Sequence, residues 1–324
     1  MNTKIRIGII GTGSIADDQH APAISNIKNA ELVAVLSRDE KKGKSFLRKH
    51  LIKNGTVHTS LKSFTSDPSI DLVIICSPDK LHYAQALECL KSKKHVLIEK
   101  PFSTNIKDGI KLEKLANKNN LILKTGFHLR YHNGHSKLYD EIVNKKVLGK
   151  LRHIRILWAF HMKNNTNWRA KQEVGKWWSL SAIGAHCIDL TRWYGQDMND
   201  WKQFNSTIST DIYKGPHDET AIISGEFKSG VTVEITSTIQ FGPYAMLEIF
   251  GEKGYATCKD TLSRNGGGEI YINNKKLNFK TENPFKNQLS NIIKLINSNE
   301  KTSSESNSNS ESRSVKDLLK AYNV

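Results

Sequence analysis

The chain has 324 residues, 38 % of them hydrophobic, with six Trp, eleven Phe and nine Tyr, which excludes global disorder and suits two domains better than one. Its formal charge of +16 is spread along the chain: 21 basic and 12 acidic residues give +9 over residues 1–124, and 27 and 20 give +7 over the rest. With no arginine-rich block, no nucleic-acid motif and no run approaching the ~20 apolar residues of a membrane span, neither nucleic acid nor a bilayer is the expected partner.

Met1-Asn-Thr leaves no room for a signal peptide before the first apolar run, Lys4–Ile10, so a cytoplasmic location is expected. That run flows into Gly11-Thr12-Gly13-Ser14-Ile15-Ala16 and then a helix-like segment. A strand, Gly-x-Gly-x-x-Ala and a helix in that order is the dinucleotide-binding fingerprint in its proper context. Gly11 permits the tight turn, Gly13 lets the backbone approach a pyrophosphate, and Ala16 is small enough for close helix–strand packing. The amides and dipole at the helix start favour the diphosphate charge.

The next strand, Glu31–Leu36, ends at Ser37-Arg38 with Lys41 and Lys42 close behind. A carboxylate here would bind the ribose 2′-hydroxyl of NAD and repel a 2′-phosphate. A hydroxyl and a guanidinium instead suit that phosphate, so NADP is preferred, with NAD the alternative. Asp39 reads as the cap of the following helix. Strands 71–76, 94–98 and 121–124 follow, with helices near 14–29, 39–53, 80–92 and 105–119. This alternation predicts a doubly wound parallel sheet over residues 1–125. Strand ends line the ligand crevice of such a sheet, so Ser77-Pro78-Asp79, Glu99-Lys100-Pro101 and Gly126-Phe127-His128 should gather around one dinucleotide.

From residue 126 to 324 the pattern changes. A helix, 134–144, leads into strands at 151–160, 204–211, 221–227, 231–239, 246–250 and 255–259, with a helix near 184–194 and a closing helix at 314–322. Short turns between successive strands predict a large, mostly antiparallel sheet, hence an α+β domain. The Ser/Asn-rich stretch beginning at Thr302 reads as a mobile loop. Cys76, Cys89, Cys187 and Cys258 lack metal-type spacing and read as reduced thiols. His20, His161 and His217 are scattered, so no metal site is expected.

Three features taken together resemble the glucose–fructose oxidoreductase and inositol dehydrogenase (Gfo/Idh/MocA) family. They are the glycine fingerprint, Glu99-Lys100-Pro101, and Gly184-x-His186-x-x-Asp189-x-x-Arg192-Trp193. The likeness covers nearly the whole chain. It implies a Rossmann domain followed by an open-sheet substrate domain, assembly into dimers or tetramers through that sheet, and NAD(P)-dependent chemistry on sugars, polyols or related carbonyls.

Carried over residue by residue, the resemblance places Lys100 beside the nicotinamide and the reacting carbon–oxygen bond. Such a lysine needs a pKa lowered by burial or a neighbouring cation. Glu99 would contact the nicotinamide ribose, and a cis bond at Pro101 is one way to fix the bend. His186 becomes a substrate-contacting acid/base and Asp189 a hydroxyl acceptor, three residues apart on one helix face. Trp168, Arg169, His128, Arg130 and Tyr244 are further candidates for substrate contact. One departure stands out: the family's aspartate four residues before the histidine is Ala182 here. Trp177 and Trp178 replace small upstream residues and read either as an aromatic pocket wall or as core. An NAD(P)-retaining glycoside hydrolase and a catalytically silent dinucleotide sensor are the alternatives to a net oxidoreductase.

Overall fold

The computed structural model describes residues 4–166, 168–196, 200–298 and 310–322. The chain forms two compact units, Met1–Gly126 with Phe285–Val315, and Phe127–Pro284 with Lys316–Val324. The Ser/Asn-rich loop expected from Thr302 onward lies outside the described residues. No helix among the described residues is long and apolar enough to cross a membrane.

The first unit is built on a six-stranded parallel sheet of order β3-β2-β1-β4-β5-β6. Its strands are β1 (Ile5–Ile10), β2 (Ala30–Leu36), β3 (Thr56–His58), β4 (Leu72–Ile75), β5 (His95–Ile98) and β6 (Leu123–Thr125). Continuous apolar runs such as Leu72-Val-Ile-Ile75, buried at every position, are what a sheet covered on both faces requires. The order reverses beside β1, which makes the C-terminal ends of β1 and β4 a topological switch point. Helices α1 (Ala21–Ser25), α2 (Glu40–Lys49), α3 (Leu61–Thr65), α4 (His82–Lys91) and α5 (Ile106–Lys118) connect the strands.

In the second unit, α6 (Asn133–Tyr139) and α7 (Ala185–Gly195) accompany an eight-stranded sheet of order β14-β13-β12-β11-β7-β10-β9-β8. The strands are β7 (Leu151–Ala159), β8 (Trp201–Ser209), β9 (Thr220–Phe227), β10 (Thr232–Thr238), β11 (Tyr244–Gly251), β12 (Gly254–Lys259), β13 (Glu269–Ile272) and β14 (Lys275–Lys276). All pairs are antiparallel except β7 with β10. Alternation decides the faces: Ile154, Ile156, Val233, Ile235, Leu247 and Ile249 point into the core. Arg155, Glu234 and Glu248, in register across three strands, form ion pairs on the opposite face.

A single division at residue 125 misses the return of the chain to the first unit. Helix α8 (Pro284–Ser298), absent from the sequence reading, buries Leu289, Ile292 and Ile293 in the first core with Ile7, Ile9, Val35, Leu72 and Ile74. The last helix, α9 (Ser310–Tyr322), begins in the first unit and ends in the second.

Candidate functional site

The turn after β1 has the geometry its glycines suggest. Gly11 sits at φ +88°, and a Cβ there would lie 3.1 Å from the Cys76 carbonyl, so both conformation and space demand glycine. Nothing lies within 4 Å of a Cβ built on Gly13. The helix opens at Ser14, exposed like Gly13, while Thr12 and Ile15 are half-buried and Ala16 is fully buried against the sheet. Bare amides at this helix start fit a diphosphate.

At the end of β2, Ser37 is buried and its hydroxyl donates to the Asp39 carbonyl at 2.8 Å. The Asp39 carboxylate accepts from the Lys41 and Lys42 amides at 2.9 and 3.2 Å and so caps α2. Its charge is thereby engaged with helix amides, while Arg38 is exposed beside it.

Beyond β4, the Ser77 hydroxyl donates to Gln85 Oε1 at 2.5 Å, and the Pro78 carbonyl accepts from the Leu81 amide. The two His82 ring nitrogens lie 2.8 Å from the Pro101 carbonyl and 2.9 Å from that of Ser77, tying these loops together. Glu99 and Lys100 are buried at the end of β5, and the Lys100–Pro101 bond is cis.

A residue that the sequence reading set aside is central here. The helix entered at Ser14 runs through a five-residue π-turn, Ala16–His20, before α1, a device frequent at functional sites. It turns His20 inward, 1 % exposed, with Nε2 2.8 Å from Glu99 Oε1. Glu99 Oε2 accepts from the Lys100 amide at 3.3 Å. Phe285 of α8 packs its ring edge-on against His20, centroids 5.3 Å apart. Gly126 leaves room for this carboxylate, since a Cβ there would lie 3.0 Å from Glu99 Oε1.

In the second unit, α7 and the turn 128–131 bring four of the candidates together. The His128 and His186 rings meet nearly at right angles, centroids 4.7 Å apart, both buried, with Phe127 and Trp158 beside His186. One turn along, Asp189 accepts a bidentate pair from Arg130, Nε at 2.8 Å and Nη2 at 2.5 Å. A fork of this kind fixes the guanidinium plane, so Asp189 holds Arg130, whose side chain is 29 % exposed. Arg192 serves elsewhere: it pairs with Asp317 of α9, which also accepts from Trp201 Nε1 at 2.9 Å.

The Arg169 guanidinium lies 4.3 Å over the Trp168 ring, and its Nε reaches Ser181 Oγ at 3.3 Å. This brings the 168–170 turn to the start of the α7 segment. Ala182, half-buried, offers no carboxylate. Trp177 and Trp178 are fully buried, which resolves the two readings in favour of core. Tyr244 is 48 % exposed at the start of β11, and among the described residues no hydrogen bond or ring contact links it to the cluster. The four cysteines are buried, and burial pushes the Cys89 thiol up to about 12. The sequence reading also missed Asp218, a fully buried carboxylate at the entrance to β9 that holds the start of the α7 segment.

Residues 5–127 match the model of the oxidoreductase family with an NAD-binding Rossmann fold, and residues 137–257 match that of the GFO/IDH/MocA C-terminal domain. The chain is 33 % identical over 254 residues to glucose-6-phosphate 3-dehydrogenase of Bacillus subtilis, covering 72 % of this chain and 67 % of that one. It is 27 % identical over 254 residues to myo-inositol 2-dehydrogenase of Thermotoga maritima, covering 77 % and 74 %. Its fold matches a 3-ketoreductase from Actinomadura kijaniata solved with NADP and TDP-benzene, with a TM-score of 0.86 at 19 % identity over 99 % and 97 % of the two chains. The chain therefore belongs to the GFO/IDH/MocA family and is an NAD(P)-binding oxidoreductase.

Proposed function

We propose that this protein is an NADP-dependent oxidoreductase that interconverts an alcohol and a carbonyl on a sugar, polyol or related compound. The observation that carries the cofactor preference is the end of β2: Arg38 is exposed there, and the neighbouring acidic side chain is spent capping α2. The next carboxylate, Glu40, is paired with Lys44, so both acidic groups near that strand end have partners of their own, and a guanidinium is present to bind a 2′-phosphate.

In this reading the Gly11–Ile15 turn binds the diphosphate, Ser37 and Arg38 the 2′-phosphate, and Ser77, Pro78 and Glu99 flank the rest of the dinucleotide. When bound, the nicotinamide accepts or returns the hydride. Lys100 Nζ takes the hydroxyl proton during alcohol oxidation and gives it back during carbonyl reduction. His186 assists at the substrate hydroxyl, while Arg130, oriented by Asp189, and His128, Trp168 and Arg169 contact the substrate. The relatives that act on myo-inositol and on glucose 6-phosphate support a polyhydroxylated substrate. The outward face of the second sheet, with Ile222 46 % and Tyr244 48 % exposed, is our candidate for self-association into dimers or tetramers, and sedimentation velocity tests it.

Fluorescence titration is expected to give NADPH an affinity advantage over NADH of about 10–100-fold, the worth of a hydrogen bond to a charged group. Arg38→Glu should abolish or invert it. Equal affinities in the native protein would overturn the NADP assignment. Lys100→Met should remove all turnover in a panel containing myo-inositol and glucose 6-phosphate while NADPH still binds. Undiminished turnover would remove Lys100 from the chemistry.

A further inference from the structure

We propose that Asp218 is a positioning residue that anchors the segment carrying His186 and Asp189. Its relevance to turnover rests on the function proposed above for those two residues; the anchoring itself does not.

The segment starts without a cap of its own. The first amides of any helix lack intrahelical acceptors, and Ser179, at the head of the π-turn Leu180–Gly184 that precedes α7, makes no side-chain capping bond to its own helix. Asp218 supplies what is missing. Its Oδ1 accepts from the Trp178 amide at 2.8 Å, and Oδ2 accepts from the Leu180 amide and the Ser179 hydroxyl, both at 2.6 Å. Its main-chain carbonyl takes the Ser179 amide at 2.9 Å. Four donors from three consecutive residues thus converge on one residue from a distant strand entrance. A negative charge at this end of the helix is also favoured by the helix dipole. The turn is also pressed against the neighbouring strand β10: a Cβ on Gly184 would lie 3.0 Å from Ser237 Oγ. Held by Asp218 at its start and by β10 at Gly184, the segment has little freedom to slide, and His186 follows two residues after Gly184.

The carboxyl is fully buried, and burial pushes it up to about 6 despite the hydrogen bonds that favour its charged form. Protonation of either oxygen turns an acceptor for a backbone amide into a donor. The Ser179 hydroxyl can reverse its role, but the Trp178 and Leu180 amides cannot. His217 and Glu219 flank Asp218 in sequence, and the Glu219 carboxylate is engaged by the Ile212 and Tyr213 amides. From α9 comes Tyr322, its phenol pushed up by burial and then by the Asp218 charge. Ser179 faces it from its own segment and Ser237 approaches from β10.

Hydrogen exchange of the full chain, followed by mass spectrometry from about pH 5 to about pH 7.5 and normalised to intrinsic rates, tests the anchor without any substrate. Peptides within 178–190 should lose about tenfold protection as Asp218 protonates, one hydrogen bond to a charged group being worth that much. Asp218→Asn should exchange fast in this segment at every pH. Ser179→Ala should move the midpoint upward, because its hydroxyl bond holds the carboxyl down. His217→Gln should leave the midpoint in place, separating the two groups. Once a substrate is in hand, Asp218→Asn should lower kcat and leave NADPH affinity within about twofold, a split that a general loss of folding would not produce. Exchange in 178–190 that is independent of pH in the native protein, or a pH dependence that survives in Asp218→Asn, would overturn the proposal while leaving the redox reading intact.

Discussion

Asp317→Ala should be among the most damaging single substitutions in the second unit. Asp317 is 1 % exposed and its partner Arg192 7 %. The carboxylate takes Arg192 Nε at 2.5 Å, Arg192 Nη2 at 2.9 Å and the Trp201 indole N–H at 2.9 Å. Removing one partner of a buried ion pair costs about 3–5 kcal/mol, and leaving a buried donor without its acceptor costs about 1–3 kcal/mol. Relaxation is shared between the two, so about 4–6 kcal/mol is expected, a large part of a typical domain's stability. The double variant Arg192→Leu with Asp317→Leu removes both charges and should return to within about 2 kcal/mol of the parent, the remainder being the indole N–H. Urea unfolding followed by circular dichroism, with hydrogen exchange in α7 and α9 to localise the loss, measures both. A cost below about 1 kcal/mol for Asp317→Ala, or a double variant no better than the single, would refute the reasoning.

Further outcomes follow from the first unit. Gly126→Ala places a methyl 3.0–3.2 Å from the Glu99 carboxylate; it should cost about 1–2 kcal/mol in thermal unfolding and weaken NADPH binding, and unchanged affinity would show that the His20–Glu99 pair does not shape the cofactor site. Gly11→Ala, strained at φ +88° and crowded by Cys76, should reduce dinucleotide affinity in calorimetry at least about tenfold. The Lys49 hydrogen bond, then that of His50, hold the Asp17 carboxyl below its ordinary range against desolvation. Its stabilising effect is therefore present above the unfolded carboxylate pKa and lost as pH falls through the folded one. The difference in melting temperature between Asp17→Asn and the parent should close in acid; a gap that persists there would assign it to packing.

The parallel sheet was legible because its central strands are unbroken apolar runs punctuated by glycine and proline. The three-residue edge strand β3, Thr56-Val-His58, carries no such pattern, and neither does the short pair β13 and β14. Helix α8 did carry a signal: Phe285, Leu289, Ile292, Ile293 and Ile296 follow helical spacing, obscured by the intervening Asn and Ser. The cap formed by Asp39 is local chemistry and could be read in the sequence. The roles of His20 and Asp218 could not, for different reasons. The π-turn adds a residue to the helix and redirects His20 away from its regular position, whereas Asp218 lies about forty residues from the amides it receives, with contacts set only by tertiary structure. Apolar character alone left Trp177 and Trp178 between pocket and core, because an indole suits either setting and only its exposure in the folded chain separates them.

The return of α8 to the first core has a consequence for synthesis. Leu289, Ile292 and Ile293 fill space beside β1, β2 and β4, strands that leave the ribosome well before α8 does. Until residue 293 has emerged, the nascent dinucleotide domain carries an open apolar groove, a natural station for a chaperone. Translation that stops short of α8 should yield chains that form the parallel sheet but clump, whereas supplying the helix in trans as a peptide should rescue them.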